Sequence, residues 1–433
     1  MGSVKIPACT LEKLLEINIK MQKAIFVIIL GLFYNILRAE EFTPTTYEGY
    51  LPATVRITVS DDDGNKSYGS GFFLNENGST FIYTNAHVID AAAKITILDH
   101  SGKQVSGIEW IEAFKEPFGN HNGPSAGDGV RLKLEKYRHE SFTLATDFSI
   151  LDTSRNLVVF GDNDGANDGR QEIQILEGEL RNKDNGIITY TCNTKQGSSG
   201  GAVVDAATKK VVALNTWVIE LPENSYQRVF GIHSETSIGF GTILENPKWL
   251  RFTVKDYLAQ GRAIRRFQKN LERMILLTYL VPTAHGIYAN PEDEFVGGMS
   301  VADAIERHKN APVMEDLFDL HNKLSANRNS KIKISNVDVY KSYLRTLDEI
   351  LRERSAVIPT LKSDKLSFYH KHFVETRLLD QADKYFANDV IACRNWFKEK
   401  TSVGGSIPLN AWETLPPFGR KLSADVEKKF LEN

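Results

Sequence analysis

The chain has 433 residues, of which 42% are hydrophobic and 25% charged, and its formal net charge is -3. That length allows two or three domains with real cores, and the even charge balance offers no basic stripe for a nucleic-acid partner. Three cysteines, Cys9, Cys192 and Cys393, cannot make a disulfide framework, and without a C-x-x-C pair no metal site is expected.

The N-terminus carries the first readable feature. Residues 21–39, MQKAIFVIILGLFYNILRA, place a methionine and a lysine before an apolar run from Ala24 to Leu37, with a small residue at Ala39. This is the layout of a secretory signal peptide, and a run of 14 is short for a membrane span. Residues 1–40 are therefore expected to act as a leader, making the protein secreted or periplasmic. An uncleaved membrane tether through residues 24–37 is the alternative. The residues ahead of Met21 fit either a start at Met21 or an unusually long leading segment.

From Thr54 to Leu244 the pattern is one of short strands. ATVRITV, SGFFLN, TFIYTNAHVI, AKITILD, VRLKLEK, NLVVFGD, EIQILEGEL, GIITYTC, GAVVD, KVVALNTWVI and SIGFGTIL are rich in Val, Ile, Thr and aromatics, and Gly, Asn, Asp and Ser clusters separate them. Many short strands with almost no helical periodicity predict barrels or a sandwich over residues 41–255. After Pro247 apolar residues fall three and four apart between charges, as in KDYLAQGRAIRRFQKNLERMILLTYLV. Three later stretches, within 300–324, 337–358 and 371–400, do the same, so residues 256–433 are expected to be all-α.

One turn raises a chemical question. NTKQGSSGGAVVD packs two serines and three glycines between apolar runs, which by itself is an ordinary turn composition. A serine nucleophile needs a general base, a carboxylate to orient that base and backbone donors for the oxyanion. Among the five histidines of the β region, His87 stands out at the end of TFIYTNAHVID, where an apolar run meets a loop.

GSGFFLNENGSTFIYTNAHVI followed by GSSGG resembles the trypsin-like serine peptidases, whose signatures run G-S-G-F, T-N-x-H-V and G-N-S-G-G in this order. The resemblance covers roughly residues 54–255 and implies two six-stranded antiparallel barrels (the chymotrypsin-like all-β double barrel) with a site between them. It makes His87 the base, Ser199 the nucleophile, and the amides of Gly197 and Ser199 the oxyanion donors. It also implies a protein or peptide substrate and no cofactor. For the acid, the family places two strands before the glycine turn that here holds Gly161; Asp128 leaves room for them as VRLKLEKY and SFTLAT ahead of NLVVFGD, whereas Asp147 leaves too little, so Asp128 is preferred over Asp147. The residue after Asp128 is Gly129, where the family usually has an aliphatic side chain.

By the same resemblance Asn193, Thr194, Asn215, Thr216 and Trp217 line the primary pocket, and no carboxylate falls among them. A neutral or small apolar preference is the expectation. The helical region is expected to dock substrate, to self-associate or to cover the cleft, or else to be a stabilising appendage. The competing reading of the whole chain is a catalytically silent binding module on the same fold.

Overall fold

The computed structural model describes residues 44–90, 92–115, 127–153, 155–162, 172–220, 237–283 and 365–374, with a few isolated positions beyond them. The chain divides into Met1–Gly49 and Tyr50–Asn433, and the second unit carries everything that follows. The expected leader, the helix over 300–324 and most of those over 337–358 and 371–400 lie outside the described residues. Among the described residues no helix is long and apolar enough to cross a membrane.

The strands are β1 (Thr54–Ser60), β2 (Lys66–Glu76), β3 (Ser79–Thr84), β4 (Lys94–Asp99), β5 (Gln104–Val105), β6 (Ile108–Phe114), β7 (Val130–Leu134), β8 (Asn156–Asp162), β9 (Ile173–Asp184), β10 (Ile187–Tyr190), β11 (Ala202–Asp205), β12 (Val211–Glu220), β13 (Ser237–Ile243) and β14 (Trp249–Phe252). Their side-chain pattern explains them. In β1 Val55, Ile57 and Val59 are buried while Arg56, Thr58 and Ser60 are half-buried, the period-2 alternation of a strand with one wet face. Asn77-Gly78 and Asn185-Gly186 both have positive φ and form the two-residue turns that join β2 to β3 and β9 to β10.

Two antiparallel assemblies result. One is an eight-stranded sheet in the order β14-β6-β7-β3-β2-β1-β4-β5, and the other a closed six-stranded barrel in the order β10-β13-β12-β11-β8-β9. The barrel agrees with the expected architecture; the first assembly departs from it, having two strands more than expected and end strands, β14 and β5, that do not pair to close it. Val55, Ile57, Phe73, Ile82, Ile97, Ile111, Val130 and Leu132 meet in one core, so the eight-stranded sheet wraps around a single interior. Leu157, Val159, Leu180, Tyr190, Val203 and Val212 fill the barrel, where the buried Cys192 forms no disulfide and its Sγ lies 3.8 Å from the Leu157 carbonyl.

Three strands escape the sequence pattern, β5, β6 and β14, and one expected strand is absent. In β6 the acidic Glu112 breaks the apolar run. It is nonetheless buried, because Arg131 Nε at 2.7 Å and Arg251 Nε at 3.1 Å neutralise it. The segment SFTLAT makes only single bridges, Leu74 to Phe142 and Leu144 to Val211. It crosses from β2 in one assembly to β12 in the other instead of running along either.

The helices are α1 (Ala86–Ile89), α2 (Val254–Thr283) and α3 (Phe368–Phe373). Helix α2 follows the expected spacing closely: Tyr257, Ile264 and Phe267 are buried on one stripe. Both α2 and α3 pack against β6.

Gly129, the departure from the family pattern, has a packing cause. A β-carbon there would lie 2.5 Å from Cζ of Phe114, a ring that is itself buried. Phe114 fills the space an aliphatic residue at 129 would take, and burying it contributes about 1.5–3 kcal/mol. Gly129→Val is expected to lower stability by about 1–3 kcal/mol through overpacking, read from the urea midpoint. An unchanged midpoint would show that Phe114 does not set the residue at 129.

Candidate active site

His87 does not stand at the end of a strand. Strand β3 stops at Thr84, Asn85 is extended with φ -80° and ψ 151°, and His87 rides on the single turn of α1. Asn85 makes no side-chain cap to this helix. Its buried amide instead donates to the Asp128 carbonyl at 2.7 Å and reaches Thr216 Oγ1 at 3.4 Å. The loop residue thus links the histidine turn to the strand that follows the serine.

Asp128 grips His87 twice. Its Oδ2 lies 2.6 Å from the His87 ring Nδ1, and its Oδ1 accepts the His87 backbone N–H at 2.9 Å. The carboxylate is almost wholly buried, whereas the imidazole is 34% exposed. His87 Nε2 is left without a partner among the described residues. Burial works against a charged imidazole, but the charge of Asp128 and its hydrogen bond outweigh it. Asp90 adds to them and Arg265 opposes, and the net effect raises the His87 pKa above its usual value.

The serine turn is held from both sides. Ser70 N–H donates to the Ser199 carbonyl at 2.7 Å, and Ser70 Oγ donates to the Gly197 carbonyl at 2.9 Å. From the barrel, Gly200 N–H donates to the Asn215 carbonyl at 2.7 Å and Asn215 N–H to the Gly201 carbonyl at 2.9 Å. Gly200 has φ +85° and lies against Thr84 Oγ1 and the Ser70 carbonyl, so neither its conformation nor its surroundings admit a side chain. Gly197 has φ +104°. The Gly197 and Ser199 amides make no hydrogen bond among the described residues. Ser199 Oγ donates to the Thr216 carbonyl at 3.3 Å.

The turn that carries His87 and the turn that carries Ser199 therefore lie side by side where the two assemblies meet. Gly200 lies 3.1 Å, measured to the β-carbon it lacks, from the Asn85 amide, two residues before His87. Gly69 is wedged between Val88 and the Ser199 carbonyl. Asp147 is elsewhere: it is exposed, and it accepts from the amide and hydroxyl of Ser149. Among the described residues no cluster of His, Cys, Asp or Glu could hold a metal ion.

The residues expected to line the pocket divide. Asn215 is buried and fully engaged, accepting from Tyr190 Oη at 2.5 Å and donating to the Ser198 carbonyl at 2.8 Å and to Ser198 Oγ at 2.9 Å. Thr216 is buried, with Oγ1 2.9 Å from Thr242 Oγ1. Thr194 is buried, with no partner for Oγ1 among the described residues, and Asn193 has φ +48°. Trp217 is 43% exposed and stacks on Phe240 at 4.1 Å. Sequence reading missed Ser70 and Asn85 as positioning residues. The only signal for Ser70 was its place between the glycines of GSGF.

Residues 69–214, about a third of the chain, match the family model described as the trypsin-like peptidase domain. No curated protein matches the chain. Among solved structures it is similar to the HtrA-type protease AlgW with a tripeptide, at 20% identity and a TM-score of 0.33, over 45% of this chain and 57% of AlgW. It is similar to the Rv3671c protease from M. tuberculosis in its active form, at 16% identity and a TM-score of 0.31, over 46% of this chain and 78% of that one. A serine endoprotease from Yersinia pestis gives 22% identity and a TM-score of 0.31, over 46% of this chain and 63% of that one. The chain spans just over half the length of AlgW, and at such scores these likenesses add nothing to the fold already described. The ordered motifs, the strand assemblies and the family match agree on a trypsin-like peptidase domain over residues 69–214.

Proposed function

We propose that the chain is a serine endopeptidase that hydrolyses peptide bonds in protein or peptide substrates through Ser199, His87 and Asp128. The observation that carries this reading is the Asp128 carboxylate, with one oxygen 2.6 Å from His87 Nδ1 and the other 2.9 Å from the His87 amide. That grip holds the imidazole in the tautomer whose Nε2 accepts a proton.

The steps follow from these roles. Rotation of the Ser199 hydroxyl away from the Thr216 carbonyl turns it toward His87. His87 Nε2 takes the proton as Oγ bonds to the substrate carbonyl carbon, and Asp128 stabilises the imidazolium. The carbonyl oxygen gains the negative charge and is met by the unengaged amides of Gly197 and Ser199, each worth on the order of 3 kcal/mol in the transition state. The imidazolium then gives its proton to the leaving amine as the C–N bond breaks. Water, deprotonated by the same imidazole, releases the acyl group and regenerates the hydroxyl.

The setting we propose is secreted or periplasmic, supported by the leader pattern at residues 21–39. Determining the mature N-terminus separates it from a membrane tether: a mature chain that retains residues 24–37 refutes cleavage.

A fluorophosphonate probe tests the chemistry. It is expected to label the wild type on Ser199 and to leave Ser199→Ala unlabelled, and a wild type that fails to react would establish the silent binding module instead. Because the base must be neutral and the pKa of His87 is raised, the labelling rate should climb with pH through a midpoint above the ordinary 6.5. Asp128→Asn should cut that rate about 10⁴-fold. Ser70→Ala removes a buried donor from the Gly197 carbonyl and should cost about 1–3 kcal/mol of stability, together with a slower labelling rate in the protein that remains folded. Equal rates would show that Ser70 does not position the turn.

A further inference from the structure

Behind the His87–Asp128 pair stands a wall built by chain that follows both strand assemblies. Helix α2 passes so close to the end of α1 that Gly261 rests on the Asp90 carbonyl with no room for a side chain. One turn further, Arg265 Nη2 donates to both oxygens of Asp90, at 3.2 and 3.0 Å. Arg265 Nη1 donates to Gln268 Oε1 at 2.7 Å, and the guanidinium lies 5.5 Å from the Phe373 ring. Asp90 is 3% exposed and follows His87 by three residues on the same turn.

Helix α3 closes the other side. The Phe368 ring occupies the place a side chain at Gly127 would take, immediately before Asp128. Gln260 of α2 ties α3 in place, donating to the Lys365 carbonyl at 3.0 Å and accepting from the Ser367 amide at 3.3 Å. Tyr257 packs between Phe252 and His370, at 5.7 and 4.9 Å. None of these groups takes part in the peptidase chemistry, yet a buried carboxylate such as Asp90 is costly, and here Arg265 meets it with two hydrogen bonds.

We propose that this wall is a positioning device for the peptidase site, in which the pair formed by buried Asp90 and half-buried Arg265 holds the His87 turn and sets the field at its imidazole while Phe368 braces Asp128. The inference rests on the reading of His87 as the base, and it makes Arg265 and Phe368 positioning residues contributed by the C-terminal region. The charged groups facing His87 are Asp128 ahead of β7, Asp90 on α1 and Arg265 on α2. Glu272 acts on Arg265, one step removed. The Tyr257 and Tyr369 phenols stay neutral, because burial drives their pKa values well up. His370 is neutral too, since burial and then Arg265 lower its pKa to about 3. The imidazole thus faces two carboxylates and one guanidinium.

The test uses the full chain. The His87 imidazole is titrated by NMR, and in parallel the rate of fluorophosphonate attack on Ser199 is followed against pH. Asp90→Asn removes one negative charge and leaves Arg265, so both midpoints should fall by about half a pH unit or more. Asp90→Asn combined with Arg265→Gln removes the pair and should return them toward the wild-type value. A folded Asp90→Asn whose midpoint stays at the wild-type value overturns the inference. The NMR titration needs no turnover, so the two failures are distinguishable: a wild type that never reacts with the probe sinks the peptidase reading and this inference with it, whereas a reactive wild type whose midpoint ignores Asp90→Asn sinks this inference alone. Should Asp90→Asn fail to fold, Phe368→Ala decides the matter: its labelling rate should fall about tenfold at the pH optimum, and an unchanged rate in the folded variant overturns the positioning role.

Discussion

One carboxylate bonding to the ring and the backbone of the same residue is the constraint on which the rest of this structure depends. Asp128 would be destabilising if buried alone, because an isolated carboxylate in a protein interior costs several kcal/mol. Two hydrogen bonds from His87 offset that cost, and they fix the ring and the turn that carries it at once. The backbone on either side of Asp128 is pinned by aromatic rings, with Phe368 on Gly127 and Phe114 on Gly129. Glycine at both positions is therefore a packing requirement, and the unusual Gly129 says nothing against a working site.

The second dependence is the seam between the two strand assemblies. Ser70, a residue of β2, reaches across it with its backbone and its hydroxyl, and the same oxygen accepts from the Asp162 amide of β8 at 2.8 Å. Asn215 answers from the barrel, where its side chain joins Tyr190 to Ser198. A buried polar network of this kind is stabilising only when its members are satisfied. Each group here holds the serine turn in one conformation while the Gly197 and Ser199 amides stay unengaged. The same bonds fix the turn and leave those two amides without a hydrogen bond among the described residues.

The helices belong to this arrangement more closely than their amphipathic pattern implied. An ordinary packing stripe accounts for Tyr257, Ile264 and Phe267, but α2 also buries Gln260 and Gln268. Those amides are engaged with α3 and with Arg265. Chain that follows both strand assemblies thereby lies against the residues flanking His87 and Asp128.

The sequence by itself determined the local elements and the order of the chemistry. Alternation in TVRITVS and NLVVFGD specified strands, because one side of each had to face a core, and helical spacing after Pro247 specified α2. His87 and Ser199 came to notice through motifs that resemble those of the trypsin-like peptidases, and Asp128 through chain length counted against that family's strand order. What the tertiary structure decided are the matters that depend on residues far apart in the chain. Glu112 could lie in a strand only because Arg131 and Arg251 arrive from β7 and β14. SFTLAT lost its strand because it bridges two assemblies. Asn215, expected in the pocket, proved to be a buried strut, since its partners Tyr190 and Ser198 come from another strand and from the turn itself. The Asp90–Arg265 pair spans 175 positions, and no local pattern encodes a contact whose energy exists only once Asp90 has left water beside a distant guanidinium.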